Sequence, residues 1–423
     1  MAPRTIPLSR HSRDPGPLIE QFSQVKQVTA CRICRSASLW QFFDLGLQPL
    51  ANDLVPVDRL GQSDFQAPLA VMRCEDCGHV QLTHTVHPQV LFSDYRFVSG
   101  TSEGWHEHCH TLAKLTTTRR GSGFVVDIGS NDGTLLSKFK RLGWKVLGVD
   151  PARNVVRRAP IRTECVEWSS QTADSLTQDY GYADLITAQN VLGHVDDPVD
   201  FLRGVKRMLK RNGEAIIEVP DLRSLLATCA FDTIYHEHLS YWSLVSLIKA
   251  ATSAELVLTN AKQLSGMHGG SLRVTFRHRG RPAANVGERI VFDYRALETR
   301  APFEDFQVRC EAKLQQIGGL FATVERPFWG YAAPAKATVL LNALVAKGYS
   351  ELPEWVVDDT PMKQGSYIPG VRIPIAKPEN LEQCQTLVVL AWNWYEGIKL
   401  RAKNRGFTGR FLIPLPTPKV VQG

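Results

Sequence analysis

No stretch of this 423-residue sequence is apolar over the roughly 20 residues that a membrane-spanning helix needs; the longest runs, Ala337 to Ala346 and Thr386 to Trp392, fall short of it. The first residues, Met1 to Pro17, bring Pro, Arg and Ser without a continuous apolar core, so they do not read as a secretory signal. A low-complexity tract is missing as well. The net charge of +7 is modest for the length, and its Lys and Arg are scattered. No basic stripe interleaved with aromatics is present, which argues against nucleic acid as a partner. Nine cysteines are too few, in too long a chain, for a secreted disulfide framework. These absences lead us to expect a cytoplasmic protein in a reducing compartment, with no membrane contact; a monomer or weak oligomer is expected as well, though none of these absences bears on it.

A composition of 43% hydrophobic and 22% charged residues suits a globular chain. The length exceeds one compact core and predicts two or three domains. Four cysteines form two pairs, Cys31-x2-Cys34 and Cys74-x2-Cys77, and the other five are scattered. Each C-x2-C can aim two thiolates at one tetrahedral ion, so the four are expected to hold a zinc ion. Four thiolates leave no open coordination position, which makes that zinc structural. His79 is a weaker substitute ligand. Apart from these pairs the first hundred residues read as irregular.

Beyond Tyr95 the pattern becomes an alternation of helices and strands. Trp105 to Thr116 reads as a helix leading into the buried strand Phe124 to Asp127. Val146 to Asp150, Ala183 to Ala188 and Glu214 to Val219 follow as further strands, the βαβ order of a doubly wound parallel sheet. A second α/β unit begins near residue 320, with strands at Phe328 to Tyr331, Trp355 to Asp358 and Thr386 to Ala391 and a helix from Ala335 to Ala346.

Asp127-Ile128-Gly129-Ser130-Asn131-Asp132-Gly133 follows the first buried strand and opens a helix at Thr134. Its glycines let backbone approach a ligand, and Asp150, 23 residues after Asp127, ends the next strand where an acid can take two ribose hydroxyls. The loop lacks the G-x-G-x-x-G that fits a pyrophosphate. Farther on, Tyr235-His236-Glu237-His238-Leu239-Ser240-Tyr241 gathers proton-exchanging groups. The H-E-H spacing cannot place both histidines on one helical face as metal ligands. Removing a proton from a carbon beside a carbonyl would need a base and an enolate stabiliser. His238 or His236 can serve as base, Glu237 can orient an imidazole, Tyr235 can donate to the enolate oxygen, and His194 can join a proton relay.

The loop resembles class I methyltransferases. In that case S-adenosylmethionine is the cofactor, held by Asp127, Gly129, Asn131, Asp132, Gly133 and Asp150, with Asp184 to Asn190, including Gln189 and Asn190, lining its other side. Nearly the whole chain resembles the sugar C-methyltransferases of deoxysugar biosynthesis. The resemblance rests on Cys31-Arg32-Ile33-Cys34, Asp44-Leu45-Gly46, Gln48-Pro49-Leu50-Ala51-Asn52, Tyr235-His236-Glu237-His238, His268-Gly269-Gly270-Ser271-Leu272-Arg273, Ala333-Pro334-Ala335-Lys336 and Lys363-Gln364-Gly365. It implies an α/β chain with a flexible tail (1–25), a zinc module (26–95), a class I methyltransferase domain with a doubly wound sheet (96–315) and a C-terminal Rossmann-like substrate domain (316–423). It further implies methylation at C3 of a nucleotide-linked 4-keto-deoxysugar through an enolate, with Tyr235, Glu237, His238 and His194 on catalytic positions. Tyr331, Lys336, Lys363, Tyr241 and Arg273 would contact substrate. The sequence departs from the family at Ala332, where a second glycine is usual, at Asp221 and at Asp359. Other readings are O- or N-methylation of a small metabolite, or a zinc-bearing RNA-binding or scaffold protein.

Overall fold

The computed structural model describes residues 24–92, 100, 103–264, 269–280 and 294–423. The expected tail, apart from residues 24 and 25, and His268 lie outside them.

The amino-terminal segment is ordered as strands, which corrects its reading as irregular. Strands β1 (Val25–Gln27) and β5 (His84–Val86) pair in a two-stranded antiparallel sheet, and β2 (Leu39–Pro49), β3 (Gln66–Cys74) and β4 (Val80–Leu82) make three strands of a four-stranded antiparallel sheet completed by Ser240–Tyr241. The alternation expected of such strands is broken in β2 by two register shifts against β3, after Gln41 and after Asp44, and this hides the period from the sequence.

Strands β6 (Phe124–Ile128), β7 (Lys145–Val149), β8 (Thr163–Glu164), β9 (Ala183–Gln189), β10 (Leu209–Pro220), β12 (Leu256–Leu264) and β13 (Ser271–His278) form the central seven-stranded sheet, in the order β12-β13-β10-β9-β6-β7-β8. Strands β6 to β10 are parallel, and β13 inserts antiparallel between β10 and β12. Val125, Val126, Leu185, Ile186 and Ile217 are completely buried, as expected where apolar side chains pack on both faces of a parallel sheet. Strand order reverses between β6 and β9, and ligands of open α/β sheets bind in the crevice at the carboxyl ends of such strands.

Between β10 and β12 lies a two-residue strand, β11 (Ser240–Tyr241), which leaves the central sheet and pairs with β4 of the amino-terminal module. That module is therefore joined to the central domain through the sheet itself.

The helix Ala301–Thr323 leads to the last unit, so the expected boundary at 315/316 falls within one continuous helix. There, β14 (Phe328–Tyr331), β15 (Trp355–Val357), β16 (Ile375–Ala376), β17 (Thr386–Val389), β18 (Arg410–Ile413) and β19 (Lys419–Gln422) form a six-stranded sheet in the order β16-β15-β14-β17-β18-β19. All are parallel except β19. The turn after β14 places Ala332 at φ 72°, a left-handed conformation that costs a residue with a Cβ about 1–2 kcal/mol. Ala332→Gly is thus expected to stabilise the protein by about 1 kcal/mol. Equal or lower stability in denaturant titration would show that no strain is held there.

Candidate active site and zinc centre

The four paired cysteines converge. Their sulfurs all lie within 4.8 Å of one another, with Cys31 to Cys77 at 3.4 Å and Cys34 to Cys74 at 3.5 Å. Four sulfurs around a zinc at about 2.3 Å stand roughly 3.8 Å apart, so the set fits a tetrahedral ion. Both turns close in the same way. Arg35 N donates to Cys31 O and Gly78 N to Cys74 O, and Arg35 and Gly78 each take a left-handed φ. The Ile33 amide also points at Cys31 Sγ, 3.4 Å away. His79 is not part of this group. It is completely buried, meets Ser240 Oγ at 3.1 Å and packs on Trp242, and burial drives its pKa down to about 3.

At the carboxyl end of β6 the chain turns through Gly129, Asn131 and Gly133, all with positive φ. A Cβ on Gly129 would come within 2.3 Å of Val191, which excludes any larger residue. Asp127 is buried and accepts from Thr187 Oγ1 at 2.6 Å, and burial lifts its pKa to about 7. Asp150 ends β7, with Oδ2 accepting from Asn131 N and Oδ1 from Ala152 N, both at 2.9 Å. Its carboxylate therefore fastens the glycine loop to the next strand. Each oxygen keeps a second lone pair for a ligand hydroxyl. Asp132 caps the helix Thr134–Arg141, accepting from Thr134 N and Oγ1, and also binds the Gly100 amide.

Gln189 and Asn190 lie at the carboxyl end of β9, beside this loop. Asp184 does not: it sits at the opposite end of β9, paired with Lys210 and accepting from Phe124 N, which corrects its expected place by the cofactor. The strand is seven residues long, so its two ends cannot serve one ligand at the sheet edge.

Next to Asn190, a cleft is lined by Gly193, His194, Pro220, Thr233, His238, Ser240 and Tyr241. His194 Nδ1 lies 2.7 Å from the Glu237 carbonyl, and His238 Nδ1 lies 2.9 Å from the Thr233 carbonyl. A carbonyl only accepts, so each Nδ1 carries a proton. Burial lowers the pKa of His194 and keeps it neutral, outweighing its backbone bonds to Glu237 and Asn190. The two imidazoles meet edge to face at 5.0 Å, and the Tyr235 ring covers His238 at 3.9 Å. Burial raises the Tyr241 phenol well above its ordinary pKa, and the nearby Glu237 carboxylate adds to the effect.

Two members of the sequence cluster take other parts. His236 is completely buried and faces the amino-terminal module, with Nε2 against the Ala67 carbonyl at 3.2 Å and a pKa lowered to about 4 by burial. It lies away from the cleft because the chain turns at His236 and Glu237, with His238 N donating to the Tyr235 carbonyl, and the turn separates the two imidazoles. Among the described residues the Glu237 carboxylate binds no imidazole. Its Oε1 accepts from Asn52 Nδ2 at 2.9 Å, and only its backbone carbonyl meets His194. Asn52 escaped the reading of the sequence as a site residue; a short polar side chain between Leu50-Ala51 and Leu54 was the available signal.

The expected substrate residues are dispersed. Arg273 pairs with Glu218 at 2.9 Å and reaches His108. Tyr331 donates to Asp359 and accepts from Arg405, and Asp359 also binds Arg401. Lys363 donates to the Ala333 carbonyl at 2.9 Å. Lys336 lies over the Trp392 ring at 4.4 Å and bonds Asn393, and the Trp392–Asp232 bond of 2.6 Å brings it close to the segment that carries Tyr235 to His238. Asp221 caps the helix Leu222–Thr228 and accepts from Tyr294, Ser224 and Gln263, which accounts for an acid at that position.

Three family models match the chain in sequence: a zinc binding domain over residues 31–92, a methyltransferase domain over 102–261 and a C-methyltransferase C-terminal domain over 266–416. The C-methyltransferase NovU of Streptomyces niveus is 32% identical over 417 residues, covering 94% of this chain and 98% of its own. This chain belongs to the C-methyltransferases. Its cofactor is S-adenosylmethionine, its fold is that of class I methyltransferases, and its amino-terminal module is a zinc-binding domain with four clustered cysteines. A ubiquinone biosynthesis O-methyltransferase of Rhodopseudomonas palustris shares 29% identity over 97 residues, 22% of this chain and 38% of its own. Among solved structures, the PH0226 protein of Pyrococcus horikoshii aligns with 44% of this C-methyltransferase and 98% of its own chain, at a TM-score of 0.37 and 16% identity.

Placing the cofactor ribose on Asp150 carries a direct test. Asp150→Asn keeps the size and one acceptor, and is expected to weaken S-adenosylmethionine binding about tenfold, the loss of one charge-assisted bond. An unchanged dissociation constant by calorimetry would remove the ribose from Asp150.

Proposed function

We propose that this C-methyltransferase methylates C3 of a nucleotide-linked 4-keto-deoxysugar, in the cytoplasm, through an enolate. The observation that carries this reading is the pair of imidazoles side by side at the cleft, His194 and His238, each with Nδ1–H tied to a backbone carbonyl. A carbon beside a ketone becomes nucleophilic only when a proton is removed, and a neutral imidazole is the side chain suited to that at neutral pH. His238 takes the C3 proton in this reading, with Tyr235 stacked on its ring and donating to the enolate oxygen. S-adenosylmethionine, when bound along Asp127 to Asp150, supplies the electrophilic methyl group. Bound there, the cofactor would give its methyl to that carbon and keep the bonding pair on sulfur as a neutral thioether.

The carboxyl-terminal domain would hold the nucleotide, with Lys336 nearest the catalytic segment and available to diphosphate. Tyr331, Lys363 and Arg273 would act through the bonds described above, and Tyr241 would bound the sugar pocket.

The deciding experiment is solvent deuterium exchange at C3 of a thymidine diphosphate 4-keto-deoxysugar, with S-adenosylhomocysteine in place of the methyl donor. Exchange dependent on enzyme supports enolate formation. Absence of exchange, together with methylation on oxygen, would favour the O-methyltransferase reading.

A further inference from the structure

The catalytic segment is held on both sides by the zinc-bearing module. Ser240–Tyr241 pairs with β4, and His236 bonds the Ala67 carbonyl just after β3 begins. Between these two grips stands Glu237, 4% exposed, with one carboxylate oxygen on Asn52 and no hydrogen-bond partner for the other, Oε2, among the described residues. Asn52 is itself fixed from a third direction. The carbonyl of its neighbour Ala51 accepts from Thr338 Oγ1 at 2.9 Å, on the helix Ala335–Ala346 of the carboxyl-terminal domain. One loop of the zinc module thus touches the catalytic segment and the substrate domain at adjacent residues.

We propose that Asn52 is a positioning residue of the reaction: it fixes the rotamer of Glu237 and favours its ionised form, so that the zinc module contributes directly to the catalytic segment. The inference rests on the reading that Glu237 acts in the reaction. The physical reason is that a buried carboxylate needs donors to remain charged. Burial raises the Glu237 pKa, and the Asn52 amide opposes that rise. Around it the other titratable groups are His194, which bonds its backbone carbonyl, Tyr241, and the flanking His236 and His238. No lysine or arginine bonds its carboxylate among the described residues, which leaves Asn52 as the side chain that compensates it.

The test titrates the Glu237 side chain by 13C NMR in zinc-loaded protein labelled at the glutamate δ-carbon, its signal assigned by its loss in Glu237→Gln. Asn52→Ala is expected to raise the midpoint by about one pH unit, the tenfold worth of one such bond. Asn52→Asp preserves the size of the side chain and is expected to raise it further, because a second carboxylate then faces Glu237. Asn52→Ser retains a donor and should return the midpoint toward wild type. Turnover should fall about tenfold in Asn52→Ala, with zinc content and S-adenosylmethionine affinity unchanged. Wild-type midpoints in both Asn52→Ala and Asn52→Asp would overturn the proposal. The titration needs no substrate, so a shifted midpoint in an enzyme that makes no C-methyl product would contradict the function proposed above and leave this contact standing.

Discussion

Replacing His238 with alanine is expected to lower turnover by about 10²- to 10⁴-fold, the range for loss of a positioned general base. S-adenosylmethionine should bind as in wild type, because the cofactor loop is built on β6 and β7 and fastened by Asp150, whereas this imidazole is held by the Thr233 carbonyl. The tautomer sharpens the expectation. With Nδ1–H on the Thr233 carbonyl, only Nε2 can receive the substrate proton, so His238→Gln, which presents an amide of similar reach but no base, should be as inactive as alanine. His194→Ala should cost less, since its ring stands beside that of His238 and can relay a proton without being its first acceptor. Rapid-quench turnover and calorimetric cofactor binding check both parts. Retained turnover in His238→Ala with loss in His194→Ala would exchange the two roles.

Removing zinc is the second large effect. Binding of a structural zinc is worth about 10–16 kcal/mol, comparable with or larger than the whole stability of a typical domain. A chelator, or Cys74→Ser, is therefore expected to unfold the amino-terminal module and, with it, to release β11, His236 and Glu237 from their partners. Turnover should disappear even though the four sulfurs belong to the module's own turns and line no part of the cleft. Metal analysis should find one zinc per chain, and circular dichroism should follow its removal. Full turnover by zinc-free protein would contradict the bracing of the catalytic segment, and an absolute need for a second zinc would place a metal in the chemistry.

Much of this site was legible because it is local. The glycine loop, Asp150 and the strands that carry them are set by buried β-forming runs and by turns that tolerate positive φ, and all lie within residues 124–150. The two C-x2-C turns are equally self-contained. Sequence spacing could not show which side chains of Tyr235 to His238 share a face, because that segment follows a short 3-10 turn, Phe231–Thr233, and runs on as loop, where neither helical nor strand period applies. His236 thus looked equivalent to His238, and Glu237 looked like a partner for imidazole. The bond from Asn52 to Glu237 joins residues 185 apart and leaves no trace in either local pattern. The hairpin of β12 and β13 was missed for a related reason: β13 returns antiparallel into a sheet whose other connections are parallel crossovers, which βαβ alternation does not announce.

The central claim is that the methyl group reaches carbon, and one measurement addresses it most directly. Zinc-loaded enzyme, S-adenosylmethionine labelled with 13C in its methyl group and a panel of nucleotide-linked 4-keto-deoxysugars are combined, and the products are resolved by mass spectrometry and 13C NMR. The predicted result is a sugar heavier by one methyl, its label bonded to C3 and resonating as a methyl on carbon, absent with His238→Ala. A label on oxygen or nitrogen, or no methylated sugar from any member of the panel while the enzyme consumes cofactor on another metabolite, would contradict the account.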